Sequence, residues 1–419
     1  VSNTQATTPQ EYNEDVIKVL DGLQAPRLRM GMYVGGSGKA AFHHLVWEIV
    51  DNSVDEAMGG HCDRITVRIN PDNSVTVSDN GRGIPVGSHN DEGRYAGVPT
   101  VQVVATVLHA GGKFEGNYGG FSGGLHGVGL SVVNALSEWM HIDVQRDGKN
   151  HHIEFACIEQ TDSHGRTQVI PGHVTSPLKV TGKVAKGVTG TSVTFMPDER
   201  LFTHSEWDAE LISRRLRQGA YLNPGLTFVF EHDGEVTEYY YPGGLADFMA
   251  DQYQGRLAES DFTPDSPEAF VIDSPILLGA TDEEGRGQWD VCLQWFNDSK
   301  YNVASFANGI ETQHGGEHVK GFEKFLTRIL NNYARQEHIG LLTEKDPSLE
   351  AVDVRSGLGA IVAVKVPNPE FIGQTKSELG DESVRAMVSA GFREQFTEWL
   401  QNNPVQARAI LTKNITDMR

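Results

Sequence analysis

The chain has 419 residues, 38% of them hydrophobic and 22% charged, with a formal net charge of −21. That length implies two or three domains, and no apolar run is long enough to span a membrane. So acidic a composition argues against a stand-alone nucleic-acid binder, which is normally basic; a local basic strip that touches DNA inside a larger assembly stays open.

Cys62, Cys157 and Cys292 are far apart and fit neither a disulfide framework nor a CxxC site. They read as reduced thiols of a cytoplasmic protein. Val1 to Gln10 is rich in Thr, Gln and Ser, without the basic-then-apolar pattern of a secretory signal, and predicts a flexible arm. Asp15 to Leu23 predicts a short amphipathic helix ended by Gly22 and Pro26, and Gly31 to Gly38 a turn region.

The next helix begins near Ala40. At about 100° per residue its central stretch splits into two arcs. Leu45, Val46, Ile49, Val50, Val54 and Ala57 form an apolar arc suited to packing on a sheet; Glu48, Asp51, Asn52, Asp55 and Glu56 form a polar arc without Lys or Arg. Glu48 and Asn52, at i and i+4, reach the same point. The helix alone leaves two readings open: a solvated face, or a carboxylate base beside an oxygen ligand for a hard cation such as Mg²⁺.

Ile65 to Ile69 and Val75 to Val77 alternate as a hairpin, leading into a loop from Ser78 to Pro85. Pro99 to Leu108 predicts a helix, Gly111 to Gly129 a glycine-dense segment, and Leu130 to Leu136 an apolar helix. Strand follows strand from His141 to Pro197. Then come a basic helix (Leu211 to Tyr221), strands at Thr227 to Glu231 and Val236 to Tyr241, and a helix from Leu245 to Tyr253. Gly255 to Pro267, rich in Pro, Ser, Asp and Glu, predicts a linker. Beyond it the pattern gives strands (Val291 to Phe296, Tyr301 to Asn308), a helix (Val319 to Gln336), a strand (Leu358 to Val366) and a helix (Glu382 to Asn402). Both halves read as α+β.

Two glycine loops carry chemistry. In Asp79-Asn80-Gly81-Arg82-Gly83 the carboxylate can accept from an exocyclic amine such as adenine's, and the glycines admit a flat ring. Alone it is a weak signal, better explained as an ordinary Asp-capped turn. Gly123-Gly124-Leu125-His126-Gly127-Val128-Gly129 stands directly before a helix, where backbone N–H groups can wrap phosphate oxygens. No Gly-Lys-Ser/Thr closes it, so it is not a Walker loop. Lys113, just upstream, could supply a cation to a phosphate.

The acidic helix, DxGxG, GGLHGVG and Gly190-Thr191 follow the order and spacing of the GHKL nucleotide-binding superfamily. Within it the chain resembles the DNA gyrase B family, with the corresponding B protein of topoisomerase IV close behind. The stretches that carry this are Pro26 to Tyr33, Glu48 to Ala57, Ser78 to Pro85, Leu108 to Phe114, Ser122 to Asn134 and Val366 to Lys376.

The resemblance implies a GHKL two-layer α/β sandwich, a mixed sheet with helices on one face, followed by a smaller α+β transducer. Residues 1–14 would be an arm, 15–255 the ATPase domain and 256–419 the transducer. Glu48 would be the general base, His44 its support and Asn52 the Mg²⁺ ligand, with Asp55 backing the base site. Asp79 would bind adenine, Gly83 and Thr191 would complete the base site, and Arg82, Ile84 and Pro85 would border a pocket open to aminocoumarin-type inhibitors. Lys113 and the loop through Gly129, including Tyr118, Gly123, Gly124, Leu125, His126, Gly127 and Val128, would form an ATP lid. Tyr12 would reach the nucleotide of a second protomer, and Gln374 and Lys376 would extend to the γ-phosphate.

The implied activity is a Mg²⁺-dependent ATPase clamp of a type IIA topoisomerase. It would dimerise on ATP binding, act with the gyrase A protein and hold a transported DNA segment. A histidine kinase or a nucleotide-gated chaperone module is a remoter alternative. No Glu-Gly-Asp-Ser stretch or Asp-x-Asp pair of a cleavage domain is found, so an ATPase fragment unable to cleave DNA is expected. Three departures stand out: Met30 in place of Pro, His314-Gly-Gly-Glu317-His318 in place of Asp-Gly-Gly-Thr-His, and an altered Arg-Glu-Gly near Arg355. The His314/His318 spacing is superficially zinc-like but lacks further ligands. Finally, Lys320, Lys324 and Arg328 at i, i+4 and i+8 form a basic stripe, either solvated or facing DNA.

Overall fold

The structure, a computed structural model, describes residues 22–89, 93–111, 127–161, 165, 167–258, 269–282, 285–373 and 376–418. Two short helices, α1 (Gln24–Leu28) and α2 (Met30–Tyr33), lead into the twenty-residue α3 (Lys39–Met58). Pro26 is tolerated because it lies in the first turn of α1, where its missing N–H has no helical acceptor. Of the helix expected at Asp15 to Leu23, residues 15–21 lie outside the described residues and 22–23 form a turn.

β1 (Arg64–Ile69) and β2 (Val75–Asp79) form the expected hairpin, register Val67 to Val77, closed through Asn73 at φ +70°. α4 (Thr100–Thr106) and α5 (Gly129–Ala135) follow, then β3 (Ser137–Arg146), β4 (Lys149–Thr161), β5 (Thr167–Lys183) and β6 (Gly190–Pro197). α6 (Ala209–Leu222), β7 (Thr227–His232) and β8 (Glu235–Tyr239) complete the first unit. Its eight strands run β5-β4-β3-β6-β2-β1-β7-β8, antiparallel except where β1 meets β7. The apolar arc of α3 packs on this sheet: Leu45, Val46, Ile49 and Val50 are buried with Ile65, Val67, Val75 and Val77. Alternate β2 and β6 residues carry hydroxyl pairs instead, Thr76 to Thr194 at 3.0 Å and Ser78 to Ser192 at 2.7 Å.

α7 (Leu245–Ala258) lies between the two units, and the second holds β9 (Ile276–Thr281), β10 (Gln288–Trp295), β11 (Asn302–Ala307) and β12 (Ile310–Glu311). α8 (Glu317–Ala334), α9 (Ala351–Arg355), β13 (Leu358–Lys365), α10 (Glu382–Asn402) and α11 (Pro404–Met418) follow. Its sheet runs β12-β11-β13-β10-β9, with α8 and α10 stacked on one face through Phe322, Phe392 and Phe396. The other face meets the first unit. Tyr221, Leu222, Phe248, Met249 and Tyr253 from α6 and α7 pack on Cys292, Phe306 and Ile361.

Three expectations are corrected. Ser78 and Asp79 are strand, because β2 pairs with β6 as far as Asp79–Thr191. Gly31 to Tyr33, the start of the expected turn region, is helical, while residues 34–38 are turn and bend. Residues 255–258 continue α7, although the expected linker began at Gly255; α7's packing on the second sheet extends it.

Candidate active site

α3 sets its polar arc against α5 and α6. His44 Nε2 stands 2.8 Å from Glu48 Oε1, one helical turn away. With that oxygen held, Oε2 points at the start of α5, where a Cβ on Gly129 would collide with it. Glycine lets the first turn of α5 seat against the carboxylate as it stands; a larger residue would push the Glu48 side chain aside. Asn52 lies one turn beyond Glu48 on the same face.

The arc does have counter-charges, contrary to the reading from the helix alone; they come from other elements. Arg215 of α6 stands 3.9 Å from Asp51, and Lys376, from the second unit, is the next strongest positive charge acting on it. Enclosure outweighs both and holds the Asp51 carboxyl above the ordinary range. Glu56 takes Arg82 side-on, 3.0 Å from Nε and 2.9 Å from Nη2, and also accepts the Arg82 backbone N–H. Asp55 is buried.

The end of β2 builds the second half of the site. Asp79 Oδ1 accepts from the backbone N–H groups of Gly81 (2.9 Å) and Thr191 (3.2 Å), and Oδ2 accepts from Ser53 Oγ at 2.8 Å. Burial raises its pKa against these bonds. Thr191 Oγ1 in turn accepts from the Ile84 N–H at 3.2 Å. Gly83 has φ +74°, and a Cβ there would stand 2.9 Å from the Gln145 carbonyl oxygen, so the chain passes too closely for any other residue. Arg146 Nη1 donates to the Gly83 carbonyl at 2.7 Å and fixes the loop. Pro85 follows in the same segment.

Ser53, Glu56, Arg146 and Arg215 were not anticipated as parts of the site. Ser53 sits among apolar positions on the helix wheel, and the two arginines act through distant strands and helices, where no short motif marks them. Gly127 (φ +58°) and Val128 precede α5 directly. Tyr12, Lys113, Tyr118, Gly123, Gly124, Leu125, His126 and Gln374 lie outside the described residues.

Lys320, Lys324 and Arg328 are exposed on one face of α8. Lys320 is engaged by Glu317 at 2.9 Å and Glu378 at 3.6 Å. Lys324 lies 5.5 Å from the Phe325 ring centroid.

Comparison with known proteins matches both units. The family described as "Histidine kinase-, DNA gyrase B-, and HSP90-like ATPase" covers residues 38–199, and the family described as "DNA gyrase B" covers residues 244–419. The 43K ATPase domain of Thermus thermophilus gyrase B, solved with an aminocoumarin, superposes with a TM-score of 0.74 at 37% identity, covering 94% of each chain. The chain belongs to the DNA gyrase B family.

The topoisomerase IV ATP-binding domain of Francisella tularensis is a close relative, with a TM-score of 0.72 at 28% identity over 95% of this chain and 97% of that one. DNA gyrase B of Halalkalibacterium halodurans is 41% identical over 98% of this chain, which spans 59% of that relative's length. In this gyrase B-family chain Glu48, Asn52, Asp79, Gly129 and Thr191 all fall in the ATPase match, and Lys376 in the gyrase B match. The mixed α+β architecture agrees with that membership. No helix among the described residues is long and apolar enough to cross a membrane.

Proposed function

We propose that the chain binds and hydrolyses ATP as the clamp of a type IIA topoisomerase. The observation that carries this is what meets α3: a His-supported carboxylate on its polar arc, the half-buried amine acceptor Asp79 bonded to Ser53, and a lysine of the second unit whose charge acts on Asp51. The purine's amine would donate to Asp79, with the ring admitted by Gly83. His44 holds one oxygen of Glu48 and orients the carboxylate, which would accept a proton from the attacking water. Lys376 would meet charge developing on the γ-phosphate, so hydrolysis would alter what holds the two units together.

Asn52 and the phosphate oxygens suit Mg²⁺, which takes few protein ligands and keeps several waters; the ion would neutralise phosphate charge. Gln374, Lys113 and the 118–129 loop are assigned to the phosphates, and Tyr12 to the nucleotide of a partner protomer. The division at residues 255 and 256, with α7 as the seam, belongs to the same reading. So do ATP-driven dimerisation, work with the gyrase A protein on DNA in the cytoplasm, and aminocoumarin binding beside Arg82 and Pro85. The B protein of topoisomerase IV is the alternative, on the likeness to the Francisella domain.

Replacing Glu48 by Gln should lower phosphate release roughly 100-fold or more while a fluorescent ATP analogue still binds. Wild-type turnover in Glu48→Gln refutes the assignment.

A further inference from the structure

The departure at His314-Gly315-Gly316-Glu317 sits against the segment that follows Lys376. His314 N–H donates to the Ser377 carbonyl at 2.9 Å, the Leu379 N–H to Gly315 at 3.2 Å, and the Glu317 N–H to Leu379 at 2.8 Å. Gly316 and Leu379 form a parallel bridge. A Cβ on Gly316 would fall within 2.9 Å of three Leu379 backbone atoms, and Gly316 has φ +138°. No other residue can make this approach without moving the segment.

Side chains reinforce it. Glu317, buried at the start of α8, pairs with Lys320 at 2.9 Å and with Arg385 of α10 at 3.1 Å. Lys320 also reaches Glu378, two residues beyond Lys376. Behind the glycines, His318 meets Thr312 Oγ1 at 3.2 Å, and Thr312 meets Ser305 at 2.7 Å. Residues 377–379 are therefore fastened to the root of α8, while Lys376 stands near enough to α3 for its charge to act on Asp51.

We propose that Gly315-Gly316-Glu317 is a backbone latch that sets where Lys376 is delivered to the nucleotide, making Gly316 and Glu317 positioning residues. This rests on the γ-phosphate role proposed above for Lys376. A latch acting through one lysine affects recognition of the γ-phosphate and spares the adenine pocket.

The test is affinity for ADP and for a non-hydrolysable ATP analogue, in wild type, Lys376→Ala, Gly316→Ala and the double variant. Glu317→Gln, which keeps the side-chain shape, stands in if Gly316→Ala fails to fold. Losing a charge-assisted contact should cut the preference for the ATP analogue over ADP roughly 10-fold in Lys376→Ala. The latch predicts a similar cut in Gly316→Ala or Glu317→Gln, ADP affinity within about twofold, and no further cut in the double variant. Equal weakening of both nucleotides, a wild-type preference in the latch variants, or multiplying losses overturns the latch. A wild-type preference in Lys376→Ala overturns the γ-phosphate reading itself and the latch with it.

Discussion

At the scale of single residues, burial decides which groups can carry charge. His318 is fully buried, Nε2 near Thr312 Oγ1 and Nδ1 without a hydrogen-bond partner among the described residues. Burial pushes its pKa down to about 3. The folded chain therefore keeps it neutral, whereas the unfolded chain protonates it near 6.5. Its contribution is fully present above pH 6.5 and declines as pH falls toward 3, by up to about 1.4 kcal/mol per pH unit. His318→Gln has no such titration. The stability gap between wild type and this variant, from urea melts, should narrow between pH 7 and pH 5; a constant gap refutes the assignment. Asp79 shows the opposite balance, an acid raised by burial yet held by three donors.

At the scale of elements, α3 and α8 show what periodicity reveals. The apolar arc of α3 and the alternation of β1 and β2 were legible because each depends on neighbours three, four or two residues away. Glu48, Asn52 and Asp79 were legible as residues because they sit in short local patterns; their roles remain the proposal above. The partners of the arc were not, since Arg215 and Lys376 arrive through tertiary packing. β9 was missed as well, an edge strand of which Leu277, Gly279, Ala280 and Thr281 are not buried. On α8 the basic stripe is real as a face, but Lys320 is held by Glu317 and Glu378. Lys324 and Arg328 are therefore the better probes of a DNA contact. If both meet phosphates, Lys324→Gln with Arg328→Gln should lower the slope of log affinity for DNA against log salt by about 2. An unchanged slope in a salt titration leaves the stripe as a solvated face.

At the scale of the whole molecule, the proposed mechanism needs the two units to move as linked bodies, and the seam is where that link is built. Its centre is apolar, with Tyr221 stacked 4.9 Å from Phe248 and Tyr253 5.3 Å from Phe296. Arg256 closes one end: nearly buried on α7, it makes a bidentate pair with Asp298, donates to the Lys300 carbonyl at 2.7 Å and lies 4.2 Å over the Phe296 ring. Removing it takes the cation from a partly exposed carboxylate, which keeps the Lys300 N–H, and uncovers an aromatic face, a loss of about 3 kcal/mol. A chain of 419 residues melting as one block gains about 0.9 kcal/mol/K of entropy. Arg256→Ala should then lower the calorimetric midpoint by about 3 °C. If the seam is what makes the block single, the variant's peak should also broaden into two. An unchanged midpoint and a single sharp peak in Arg256→Ala would mean that the apolar contacts alone hold the units together.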